Sequence, residues 1–181
     1  MSEMSFGRAC RYGDHEKKFK RSVGVGMHVG VIGNRKSISE SVVGKILDEI
    51  FDKDDVLVSG GAFGVDSHAV VWARRNGVRF LIFHPNGRMY ENEIGRAPPN
   101  CYSRSEYFKR NGLIAEKSDR IIAFIRRYNM RSGTWNTIHQ FVKSGKDDFF
   151  VYDEDGDVWL WDLYPYYIKR ALRSDVFCRG L

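Results

Sequence analysis

The apolar run Val56-Leu57-Val58 leads directly into Ser59-Gly60-Gly61-Ala62-Phe63-Gly64-Val65-Asp66. An apolar strand that opens into a glycine turn and then a helix can hold phosphate. Glycines let the backbone approach the anion, free N–H groups point at it, and the helix dipole adds about half a positive charge. A second turn of this kind, Ser132-Gly133-Thr134, follows the apolar residues 121–125. Its hydroxyls and helix-terminal amides suit phosphate oxygens, although the same residues are ordinary N-caps. Two such turns in one chain predict a ligand that carries phosphate, either a nucleotide or a nucleic-acid backbone.

Two further groups belong to the same chemistry. Gly33-Asn34-Arg35 ends the first apolar run, and an arginine at the carboxyl edge of a sheet can bind phosphate in bidentate fashion. Arg110-Asn111 could clamp a phosphate or read a base edge. Asp66 is open to three roles: capping its helix, binding a ribose hydroxyl, or serving as the acid or base of a reaction, with capping the commonest for an Asp so placed. Phe63 either packs under its turn or stacks on a base, with packing favoured. The expected ligand-binding set is therefore Gly33, Asn34, Arg35, Ser59, Gly60, Gly61, Ala62, Phe63, Asp66, Arg110, Asn111, Ser132, Gly133 and Thr134. No residue is assigned to catalysis beyond Asp66 as a candidate.

Other machinery finds no support in the sequence. No Walker loop, GxGxxG fingerprint or GxSxG elbow occurs, and the five His residues lack metal-ligand spacing. Cys10, Cys101 and Cys178 form neither a CxxC pair nor a disulfide framework. Neither a cofactor nor a metal is implied, and the reading leans away from an enzyme.

The elements that must position these residues can be read from periodicity. Strands are expected over 23–32, 56–58, 78–83, 121–125 and 149–152, with helices over 38–52, 65–76, 104–117 and 132–142. Ser37-Ile38-Ser39-Glu40 has the form of a capping box, Gly77 stops the second helix, and Ser103 caps the third. Residues 84–103 are expected to be irregular. Asp153-Glu154-Asp155-Gly156-Asp157 reads as a hairpin turn, with 158–161 returning as a strand. Strands alternating with helices give an α/β, Rossmann-like, doubly wound, mostly parallel sheet with helices on both faces. That domain spans 23–152, preceded by a basic arm over 1–22 and followed by a hairpin and an aromatic, basic extension over 153–181.

The chain has 181 residues and a net charge of +6, which suits one well-buried domain. Residues 74–131 hold thirteen Lys/Arg and five Asp/Glu, while 147–162 hold seven acidic side chains and no basic one. The basic stretch lies between the two glycine turns, where a polyanion would sit. No signal peptide or membrane-spanning run is evident, so a soluble, cytoplasmic protein without a membrane partner is expected.

Residues 29–151 resemble the SLOG branch of Rossmann-like proteins. Ser59-Gly60-Gly61-Ala62-x-Gly-Val-Asp66 and Arg110-Asn111-x-x-Ile-Ala-x-x-Ser-Asp119 resemble the DNA-processing protein A (DprA/Smf) group. Trp72-Ala73, Arg110-Asn111 and Ser132-Gly133-Thr134-x-Asn-Thr-Ile138 are more similar to the YspA-type nucleotide-binding group. The resemblance implies one phosphate-binding cleft at the strand ends, lined by Gly33, Arg35, Gly60, Gly61, Arg110, Asn111, Ser132, Gly133 and Thr134. It also implies a homodimer, with either a nucleotide-derived ligand or single-stranded DNA as partner. The related Lonely Guy phosphoribohydrolases carry a glutamate where this chain has Thr137, which argues against the same hydrolysis. The leading expectation is nucleotide binding without catalysis; single-stranded DNA binding and a nucleotide hydrolase are the alternatives.

Overall fold

The computed structural model describes residues 26–36, 38–93, 102–126 and 132–158, all within the compact unit Val25–Trp159. The expected arm, Ser37 of the predicted capping box, the aromatic tail and most of the returning strand 158–161 lie outside these residues. Six strands alternate with four helices in the order β1 (His28–Gly33), α1 (Glu40–Ile50), β2 (Val56–Ser59), α2 (Val65–Arg75), β3 (Arg79–Phe83), β4 (Met89–Glu91), α3 (Arg104–Lys117), β5 (Arg120–Phe124), α4 (Gly133–Lys143) and β6 (Phe149–Tyr152).

The sheet order is β4-β3-β2-β1-β5-β6, parallel throughout except for β4, which runs antiparallel to β3. Every residue of β2, β5 and β6 is buried, as expected for strands covered on both faces. Right-handed crossovers place α1 and α2 on one face and α3 and α4 on the other. Accordingly α1 packs on α2, and α3 on α4. Trp72 of α2 donates to Asp48 Oδ1 at 2.7 Å, and its ring lies 5.0 Å from that of Phe51. Across the sheet, Lys146 caps the end of α3 by donating to Ala115, Glu116 and Ser118 carbonyls at 3.2, 2.7 and 2.7 Å.

The expected doubly wound α/β fold is therefore the observed one. Local differences have identifiable causes. The first helix is capped by Ser39, whose hydroxyl accepts from Val42 N, so the cap is the third residue of the predicted box rather than its first. Ile38 and Val43 are both buried on either side of that cap, the arrangement of a hydrophobic staple. Segment 84–103 is not wholly irregular, because β4 returns along β3 through Asn86-Gly87, with Gly87 at φ +81°. An Asn-Gly pair is a strong hairpin signal, and the absence of clear alternation in Met89–Glu91 obscured it.

Chain reversal sits at the centre of the sheet. The chain moves outward from β1 through β2 to β3, then returns to place β5 on the other side of β1. The crevice beyond the carboxyl ends of β1 and β5 is the topological switch point, where open α/β sheets bind ligands.

Candidate functional site

A cleft of about 550 Å³ occupies that switch point. One wall is the turn after β1, with Gly33, Asn34, Arg35 and Lys36; the opposite wall is the start of α4, with Ser132, Gly133, Thr134 and Thr137. Helix α3 supplies Tyr107, Phe108, Arg110 and Asn111 to the floor, and Arg126 follows β5. Ala62 and Asp66 reach it from the first glycine turn. Tertiary structure thus brings ten of the expected residues together: Gly33, Asn34, Arg35, Ala62, Asp66, Arg110, Asn111, Ser132, Gly133 and Thr134. Ser59, Gly60, Gly61 and Phe63 do not line the cleft.

The first glycine turn lies apart because it is packed from within. Asn34 donates to Phe124 O at 3.1 Å and accepts from Val65 N at 3.2 Å, tying the β1 and β2 turns together. Gly64 has φ +87°, and a β-carbon there would sit 2.5 Å from Asn34 O, so only glycine suits this junction. Ser59 is wholly buried, with no hydrogen-bond partner for its Oγ among the described residues. Gly60 carries the Arg110 guanidinium directly above it, where a β-carbon would overlap it.

Asp66 does not cap α2 in the usual way. Gly64 is the N-cap and makes no side-chain cap bond, while Asp66 Oδ2 accepts from Ala62 N at 3.3 Å. The same oxygen lies 3.8 Å from Arg110 Nη1. Burial pushes the Asp66 carboxyl above its ordinary value; Arg110 and the turn amides of Ala62, Gly33 and Gly60 pull against that rise. The first turn is therefore met by the chain's own Asp66 carboxyl. Phe63 does not pack under the turn as favoured from sequence: it is 79% exposed, because the turn's interior is already filled by Arg110 and Asp66.

Arg110 is only 8% exposed, and its Nε has no hydrogen-bond partner among the described residues. Its guanidinium carbon sits 5.6 Å from the centre of the Tyr107 ring, and that of Arg35 sits 5.9 Å from the same ring. Such stacking on an aromatic face holds both cations in place. Burial lowers the proton affinity of Arg110, and Asp66 partly offsets this. With Lys36 and Arg126 also on the lining, the cleft concentrates positive charge.

The second turn is open by contrast. Ser132 is the N-cap of α4, its hydroxyl accepting from Trp135 N at 3.4 Å. The first amides of a helix have no intrahelical partner, and here that helix end borders the cleft. Lys36, Arg126, Tyr107, Phe108 and Thr137 were not in the expected binding set. Signals for them existed: Lys36 adjoins Arg35, Arg126 follows a strand's carboxyl end, and Tyr107 precedes Arg110 by one helical turn.

The chain matches no family model and no curated protein. Among solved structures it is similar to DNA processing protein A (DprA) from Streptococcus pneumoniae, with 22% sequence identity and a TM-score of 0.52. That match covers 71% of this chain and 50% of the other, so the chain spans half the length of that relative. The likeness establishes a DprA-like, Rossmann-type α/β fold.

Proposed function

We propose that this protein binds a nucleotide or nucleotide-derived ligand, with phosphate at the amino terminus of α4. The observation that carries this reading is Arg110: a nearly buried cation with an Nε unpartnered among the described residues, lining a cleft bordered by a helix N-terminus. A buried donor without a partner costs about 1–3 kcal/mol, which an incoming phosphate oxygen recovers. The helix dipole and the exposed Arg35 add further attraction for an anion. A volume of about 550 Å³ suits a small molecule rather than a large interface. Asp66 holds Arg110 in place in this reading, and the site binds rather than transforms its ligand. The YspA-like spacing of Arg110-Asn111 and Ser132-Gly133-Thr134 supports the same assignment.

Single-stranded DNA is the second reading. It is favoured by the exposed Phe63, available for base stacking, and by the likeness to a DNA processing protein. A thermal-shift series on the full chain separates the two, using nucleoside mono-, di- and triphosphates, nucleotide sugars and a short oligo-dT at low and moderate salt. A ligand at about 100 times its dissociation constant adds roughly 2.7 kcal/mol and moves the melting temperature by several degrees. Stabilisation by a mononucleotide at both salts is the expected result. Stabilisation by oligo-dT alone, fading with salt, would replace it with the strand-binding reading. No stabilisation by any of these would remove both.

A further inference from the structure

Resting on the phosphate site just proposed, we infer that the cleft also reads the sugar. Asn111 and Thr137 offer it hydrogen-bond acceptors, and so select a ribonucleotide over a ligand without sugar hydroxyls. Asn111 is 5% exposed and lines the cleft. Its Nδ2 donates to Gly133 O and to Asn136 Oδ1, each at 3.2 Å. Both amide hydrogens are thereby committed. Asn136 Oδ1 also accepts from Gln140 Nε2 at 2.8 Å, and Gln140 Nε2 donates in turn to Phe108 O at 3.1 Å.

This relay ends on a backbone carbonyl at each side. Carbonyls only accept, so the orientation of all three side-chain amides is determined, with no freedom for a flip. Gly112 makes the relay possible, since a β-carbon there would lie 2.6 Å from Gln140 Oε1. What Asn111 has left for a ligand is Oδ1, an acceptor. Thr137 is in the same condition: its hydroxyl donates to Gly133 O at 3.1 Å, leaving lone pairs.

A phosphate oxygen is itself an acceptor and gains nothing from either group; a sugar hydroxyl is a donor and does. Both side chains bond to Gly133, the first residue of the helix that holds the phosphate in our reading. In a nucleotide the group next to phosphate is the sugar. Asn111 is therefore assigned to the sugar hydroxyls rather than to phosphate, and Asn136 and Gln140 are positioning residues that act through it.

Calorimetric titration of the full chain tests this, using adenosine and guanosine 5′-monophosphates, their 2′,3′-dideoxy forms, and inorganic pyrophosphate as a sugar-free probe. The dideoxy forms are expected to bind about tenfold more weakly, the effect of one or two lost hydrogen bonds. Asn136→Ala lies off the cleft lining and frees one hydrogen of Asn111. It should shrink that ratio to within about threefold, without weakening pyrophosphate. Asn136→Asp keeps the acceptor and should keep the ratio. Equal affinity for ribo and dideoxy forms, binding of pyrophosphate alone, or a ratio untouched by Asn136→Ala would overturn the sugar assignment and leave the phosphate site standing. Absence of binding by every probe would take down both.

Discussion

The amino termini of α2 and α4 each follow a buried parallel strand through a Ser-Gly turn, yet one is closed and the other open. At α2 the second helical residue is Asp66, whose carboxylate turns back onto Ala62 N and meets Arg110. At α4 the equivalent residue is Thr134, which carries no charge, and the helix end borders the cleft. A single side chain at the second helical position thus decides whether a glycine turn satisfies itself or remains available. A neighbouring helix completes the closure, because α3 lays Arg110 over Gly60. Glycine content alone does not distinguish a phosphate site from a self-satisfied turn.

The largest effect that tests this contrast is removal of the arginine. Arg110→Ala leaves the Asp66 carboxylate buried without its partner, a loss of about 3–5 kcal/mol for a buried pair broken from one side. The carboxyl escapes part of that by taking up a proton, so the loss should be smaller at about pH 5 than at about pH 8. Denaturant melts at the two pH values measure it. An equal loss at both would mean that Asp66 is not the group being stranded.

Next in size is a pair of matched glycine replacements. Gly60→Ala forces the Arg110 guanidinium off its seat and should lower stability by about 1–3 kcal/mol, the usual cost of overpacking. Gly133→Ala meets nothing nearer than Asn111 Nδ2 at 3.7 Å. Alanine also favours the helix, so stability should stay within about 0.5 kcal/mol. Equal melting temperatures for the two variants would erase the distinction between the turns.

The smallest effect is a pH trend. Burial holds Asp66 above its ordinary value of 3.8, so the fold prefers the protonated carboxyl. That contribution is complete below the unfolded value and is lost as pH rises through the folded one. Asp66→Asn, which mimics the neutral carboxyl, should therefore gain in melting temperature relative to the native protein between about pH 4 and about pH 8. The reverse trend would show that attraction to Arg110 outweighs burial.

Much of this was legible in the chain. The strand–helix alternation gave the doubly wound sheet, since period and punctuation are local properties. Ser103 was correctly read as a cap, with Glu106 completing its capping box. Strand β4 escaped notice because three residues show too little pattern, despite Asn86-Gly87. Phe63 was misjudged because its burial depends on whether space under the turn is free, and Arg110 comes from 47 positions further along to fill that space.

The sequence by itself determined the alternating strands and helices apart from β4, the doubly wound sheet that follows from them, and the run of basic residues between the two turns. Only the tertiary structure decided which turn stays open, that Arg35 and Arg110 share one aromatic ring, and that Asn111 spends both of its hydrogens on α4. The physical reason is range. Periodicity and capping act within a few residues, whereas an ion pair, a packed glycine or an amide relay exists only once distant segments are in contact.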